Sequence, residues 1–173
     1  ALEIRKKVLS ANHPSLVTSL NNIAVIYRDL GQYRRALSYL KKAFKIRKQD
    51  FEEEQLQLAS FYNNFGVTYR DLKQYKLALS YQHKALTIRE LELEANHPDL
   101  AVSYNNIALV FSDLTQYDEA LEYHQKALKI KKLILDINHP DLAISYNNIA
   151  ITYNALGLFE EALDYHQTAI SIR

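Results

Sequence analysis

The dipeptide Asn-Asn stands at 21–22, 63–64, 105–106 and 147–148, an interval of 42 residues each time. The same period superposes Ala1, Ala43, Ala85, Ala127 and Ala169, and it superposes Ile4, Ile46, Ile88, Ile130 and Ile172. Ala36, Ala78, Ala120 and Ala162 follow it too, as do Tyr33, Tyr75, Tyr117 and Phe159. Self-similarity at this period means one small unit stacked on copies of itself, each copy too small to bury its apolar face alone. The 173 residues hold four periods and five further residues, so the chain starts and stops at nearly the same phase.

Within a period the apolar residues recur in steps of three and four, the mark of one helix face. In the third period a first helix is expected from about Pro98 to Leu114, with Leu100, Ala101, Tyr104, Ile107, Ala108 and Phe111 facing the core. A second is expected from about Tyr117 to Ile137, facing inward through Ala120, Leu121, Tyr123, Ala127, Leu128, Ile130 and Ile134. Thr115-Gln116 make the turn between them, where Gly31 and Gly157 stand in periods one and four. Glycine there fits a left-handed helix C-cap. Only 3 Gly and 3 Pro in the whole chain leave too few turns for an all-β protein.

Asn-His-Pro links one pair to the next at 12–14, 96–98 and 138–140. Asn is expected to take the left-handed conformation that ends a helix, and Pro to open the next one. Asp99 and Asp141 then meet the positive end of the helix dipole. The second period departs: Phe51-Glu52-Glu53-Glu54-Gln55-Leu56 holds no Pro, which predicts a looser turn or a longer helix. Along the period, 1–173 divides into a half-helix (1–14), repeats 15–56, 57–98 and 99–140, and a fourth repeat, 141–173, shortened in its second helix.

Each repeat carries Tyr62-x-x-Phe65-Gly66-x-x-Tyr69 with Ala78, or its relatives Tyr104-x-x-Ile107-Ala108-x-x-Phe111 with Ala120 and Tyr146-x-x-Ile149-Ala150-x-x-Tyr153 with Ala162. This pattern resembles the tetratricopeptide repeat. Leu20 replaces the first aromatic in repeat 1, and the usual second-helix Phe is Leu40, Gln82, His124 or His166. The period is 42 instead of 34, which lengthens the second helix by about two turns. Together with His-Pro-Asp-Leu-Ala, Asn-Asn-Ile-Ala and Ala-Leu-x-Ile, that length resembles the kinesin light chain subclass. The resemblance implies an all-α, right-handed superhelical solenoid of antiparallel helix pairs, with first helices lining the concave side.

On that reading, the face of the first helix opposite Tyr104, Ile107 and Phe111 lines a groove. Its columns are Asn21, Asn63, Asn105 and Asn147; Val25, Val67, Leu109 and Ile151; and Arg28 and Arg70 in the first two repeats. Amide side chains both donate and accept, so a ladder of them can hold a peptide backbone whatever its sequence. The aliphatic column takes apolar side chains, and the arginines favour acidic ones. Alternatives stay open: the asparagines cap local backbone groups or bridge neighbouring helices, and the aliphatic column packs beneath the next repeat. The resemblance implies a non-catalytic scaffold binding a short extended peptide, as in a cargo adaptor. The alternative is a structural array that self-associates.

Charge supplies the argument for that alternative. Residues 1–48 hold 11 Lys/Arg against 2 Asp/Glu, and residues 96–173 hold 5 against 10. Leu2, Ile4, Val8 and Leu9 lack a preceding helix, and the faces of Ala162 to Ile172 lack a following repeat. Opposite charge at opposite ends then predicts head-to-tail contact. The basic run Arg34, Arg35, Lys41, Lys42, Lys45, Arg47 and Lys48 fits a solvated face better than a nucleic-acid site. His13, His97 and His139 recur one repeat apart, too far to share an ion, and no Cys accompanies them. No phosphate loop, HExxH or nucleophile elbow is present, so neither cofactor nor catalysis is expected. No apolar run approaches the length of a membrane span. Zero Cys and the lack of an Asn-x-Ser/Thr sequon suit a cytoplasmic setting. Without an initiator Met the chain reads as a segment of something longer.

Overall fold

A computed structural model describes residues 14–47 and 54–172. The expected half-helix, with Leu2, Ile4, Val8 and Leu9, lies outside the described residues, as does Phe51-Glu52-Glu53. Eight α-helices, and no strand, make up the described residues: α1 Pro14–Asp29, α2 Tyr33–Arg47, α3 Gln55–Asp71, α4 Tyr75–Glu92, α5 Pro98–Asp113, α6 Tyr117–Ile134, α7 Pro140–Ala155 and α8 Phe159–Ser171. They form antiparallel pairs one after another, the arrangement of a helical-repeat solenoid. Two compact units divide the chain, residues 1–85 and 86–173.

The turns inside each pair take the left-handed backbone expected of them. Gly31 has φ +70° and Gly157 has φ +79°, and Lys73 (+58°) and Thr115 (+60°) adopt the same conformation without glycine. The chain must reverse at that one residue, so the geometry persists where the sequence no longer favours it.

The linkers correct one expectation. Neither Asn96 nor Asn138 takes a positive φ. The histidines do the local work instead: Nδ1 of His97 and of His139 accepts the backbone N–H of Asp99 and of Asp141, each at 3.1 Å, with Pro at the start of the helix that follows. His is thus the N-cap, satisfying one of the amides a helix leaves open at its start. A second correction is to the length of α6, which stops at Ile134 and not Ile137. Leu135 turns extended, and the carbonyl of Asp136 accepts the N–H of His139 at 2.8 Å to close the linker turn.

In the first unit Leu16, Val17, Leu20, Ala43 and Phe61 form one buried cluster. In the second, Leu128, Leu142 and Ile149 are buried together under Tyr146, Tyr153 and Tyr165. Each fully buried Ile or Leu contributes about 2 kcal/mol. The tyrosines stack repeat by repeat: Tyr69 on Tyr81 at 5.4 Å, Phe111 on Tyr123 at 5.6 Å, and Tyr153 beside Tyr165 at 5.3 Å. This is core packing, as their positions in the repeat predict. Tyr104 also donates to Glu90 at 2.9 Å. Burial, then that bond and the adjacent carboxylate charge, push its phenol up to about 12.

Candidate functional site: paired amides on the first helices

In the first unit, Asn64 Nδ2 donates to Asn21 Oδ1 at 3.0 Å. In the second unit, Asn148 Nδ2 donates to Asn105 Oδ1 at 3.2 Å. The second Asn of one repeat therefore bonds the first Asn of the repeat before it, and each pair forms a rung between neighbouring first helices. Asn is a poor interior helix residue, and the rung is what offsets its cost. Both amides remain at least partly accessible, and each keeps further donor and acceptor capacity.

The other expected residues divide between two surroundings. Asn147 is exposed, and its Oδ1 lies 3.0 Å from His166 Nδ1. The Asn63 carbonyl accepts from Gln82 Nε2 at 3.2 Å. Val25, Val67 and Leu109 are half-buried, whereas Ile151 is 60% exposed. Arg28 lies against Asp29 at 3.2 Å, and Arg70 is half-buried. Beside the rung of the first unit lies a hollow of about 170 Å³ lined by Val17, Thr18, Asn21, Arg47, Ser60 and Asn64, among others. Beside the rung of the second unit, Val102 and Ile144 are exposed.

A second recurrent feature was not foreseen. Arg89 is 5% exposed and donates from Nη1 to Ser103 Oγ at 2.7 Å and to the Asp99 carbonyl at 3.2 Å. One repeat later Lys131 donates from Nζ to Ser145 Oγ at 3.0 Å and to the Asp141 carbonyl at 3.4 Å. Burial lowers the pKa of both cations, against the opposing pull of Asp99 and Asp141 respectively. Each cation pins the end of a second helix to the start of the next first helix. The signal lay in the sequence: Arg47, Arg89 and Lys131 share one phase of the period, and Ser103 and Ser145 share another.

Among the described residues no group of acidic, His or Cys side chains could hold a metal ion, and no helix is long and apolar enough to cross a membrane.

Comparison with known proteins places this arrangement. Over 99% of the chain it is similar to a Podosopora anserina protein of nearly identical TPR-like repeats described as a kinesin light chain, at 23% identity and TM-score 0.77, covering 81% of that chain. Over 91% it is similar to BtubC of P. vanneervenii, at 25% identity and TM-score 0.82, covering 63% of that chain. Aspartyl phosphate phosphatase F from Bacillus subtilis matches over 99% of this chain but only 43% of its own, at 26% identity and TM-score 0.78. Comparison with curated protein sequences finds no match. The tetratricopeptide repeat model matches residues 1–49, 57–133 and 112–173. Repeats of this kind serve in general as protein-interaction scaffolds. The chain belongs to the tetratricopeptide repeat family.

Proposed function

We propose that this chain is a non-catalytic, cytoplasmic scaffold that binds a short extended peptide against its first helices, in the manner of a cargo adaptor. The observation that carries the reading is the pair of asparagine rungs. The rung of the second unit presents its amides beside the exposed Val102 and Ile144, and that of the first unit beside a hollow lined by Thr18, Arg47 and Ser60. Amides of that kind hold a peptide backbone, and the aliphatic neighbours select its side chains. Asn63, Asn147, Val25, Val67, Leu109, Ile151, Arg28 and Arg70 complete the proposed contact set. Panning a random peptide display library on the wild type should enrich a short motif mixing acidic and apolar residues. Asn63→Ala/Asn105→Ala, with two hydrogen-bonding amides removed, should bind the enriched peptides about tenfold or more weakly. Undiminished binding, with thermal unfolding showing both proteins folded, would remove the asparagines from the site.

A second reading, head-to-tail self-association, is favoured by charge: residues 1–48 hold 11 Lys/Arg against 2 Asp/Glu, whereas residues 96–173 hold 5 against 10. Light scattering at high concentration and low salt should then show a mass above the monomer's, falling as salt is added. A constant monomer would end this reading.

A further inference from the structure

The seam between α6 and α8 in the second unit is closed differently from the seam one repeat earlier. In the earlier repeat Tyr104 donates to Glu90, while Lys126 lies 4.9 Å over the Tyr123 ring and bonds Glu122 at 2.5 Å. Glu90 also acts electrostatically on Lys126. Acid, phenol and cation together cover the aromatic pair Tyr104 and Tyr123, whose rings lie 6.1 Å apart.

One period later the aromatic pair is retained, Tyr146 and Tyr165 at 5.9 Å, but both covering charges are gone. Lys132 stands where Glu90 stood, and Thr168 where Lys126 stood. The Thr168 hydroxyl turns back to the Asp164 carbonyl at 2.9 Å instead of reaching over a ring. Two hollows lie along this seam. One, of about 400 Å³, is lined by Gln125, Leu128, Lys129, Lys132, Leu133 and Tyr165. The other, of about 410 Å³, includes Lys132, Leu135, Leu142, Tyr146, Thr168 and Ile172. Lys132 lines both, and no acidic residue lines either. Lys132 forms no ion pair with a described residue. Leu133, 70% exposed, and Ile137, 82% exposed, stand at the margins.

We propose that this double hollow is a second protein-docking site, distinct from the asparagine rungs, taking a partner segment that carries one carboxylate between two bulky apolar side chains. The carboxylate meets Lys132, and the apolar groups enter the hollow on either side. Mostly apolar hollows of this size with a few charged groups are ordinary recognition sites, and the charges here are Lys132 at the junction and Lys129 in one of the two hollows. The uncompensated cation at the junction selects an acid and excludes a base.

The probe is a panel of short Gly/Ser peptides carrying one Glu flanked by two Leu at varied spacings, each with a Glu→Lys control. Binding is followed by NMR through the backbone amides of Lys132, Leu133, Tyr146 and Tyr165. At least one Glu peptide should shift these amides saturably, and its Lys control should bind about tenfold more weakly. Lys132→Glu/Thr168→Lys, which rebuilds the covering charges of the preceding repeat, should lose about the same factor. Leu133→Gln, at an exposed position that folding tolerates, should also weaken binding. Asn63→Ala/Asn105→Ala should leave it unchanged, which separates this site from the rungs. The proposal is overturned if no peptide shifts these amides up to about 1 mM, or if the closing variant binds as well as the wild type. It is equally overturned if dodecanoate shifts them while every peptide fails, since the hollow would then be an acyl-chain site.

Discussion

Gly66→Ala should destabilise the protein by about 1–2 kcal/mol, although alanine is the better helix former by about 1 kcal/mol. Gly66 lies within α3, and a Cβ there would stand 2.6 Å from Gln82 Nε2 and 2.8 Å from its Cδ and Cγ. Gln82 is 1% exposed and cannot swing into water. Displacing it breaks the bond from Nε2 to the Asn63 carbonyl and leaves a buried amide unsatisfied, which costs about 1–3 kcal/mol. The amide is poorly served already, because Oε1 is buried with no partner. Gly66→Ala/Gln82→Leu should therefore unfold later in urea than the wild type, by about 1–2 kcal/mol. It recreates the Ala24 and Leu40 pair of repeat 1, both buried and both apolar. A positive coupling between the two substitutions is the signature. A single Gly66→Ala variant as stable as the wild type would mean that Gln82 has somewhere else to go.

That pair also marks what the sequence could and could not disclose. The period, the alternation of first and second helices, the left-handed turns and most of the core follow from spacing, because packing obliges every copy to bury the same face. Gly66 departs from Ala24, Ala108 and Ala150, while the column of Gln82 varies as Leu40, His124 and His166; the change at Gly66 is legible, but that it touches Gln82 is not. Asparagines bridging neighbouring helices stood as one alternative in the sequence, but the pairing of the rungs did not. A period aligns equivalent positions, whereas each rung joins the first Asn of one repeat to the second Asn of the next. His97 and His139 were read only against metal binding, since a capping role depends on the φ and ψ of one residue. The shared phase of Arg47, Arg89 and Lys131 was visible, but long cationic side chains at a helix end read equally well as solvated, and only burial distinguishes the two.

Arg89 tests how much of the fold rests on that buried cation, with an expected loss of about 3 kcal/mol for Arg89→Ala. Truncation removes the packed aliphatic stem and also the donor that serves Ser103 Oγ and the Asp99 carbonyl. Arg89→Lys should cost less than about 1 kcal/mol, because Lys131 already makes the same two bonds one repeat later. Arg89→Met separates stem from charge. It refills the apolar path, and the stranded Ser103 hydroxyl has a local remedy: Ser145 donates to the carbonyl four residues earlier, Asp141, at 2.9 Å. The same rotation would let Ser103 and the Asp99 carbonyl satisfy one another, so Met should cost about 1 kcal/mol. Denaturant midpoints should thus rank Lys and Met near the wild type and Ala well below. If Met falls as far as Ala, the hydrogen bonds and not the stem hold the repeats together. The Asn105 to Asn148 rung should then loosen in the variant, with its side-chain amides exchanging faster with solvent.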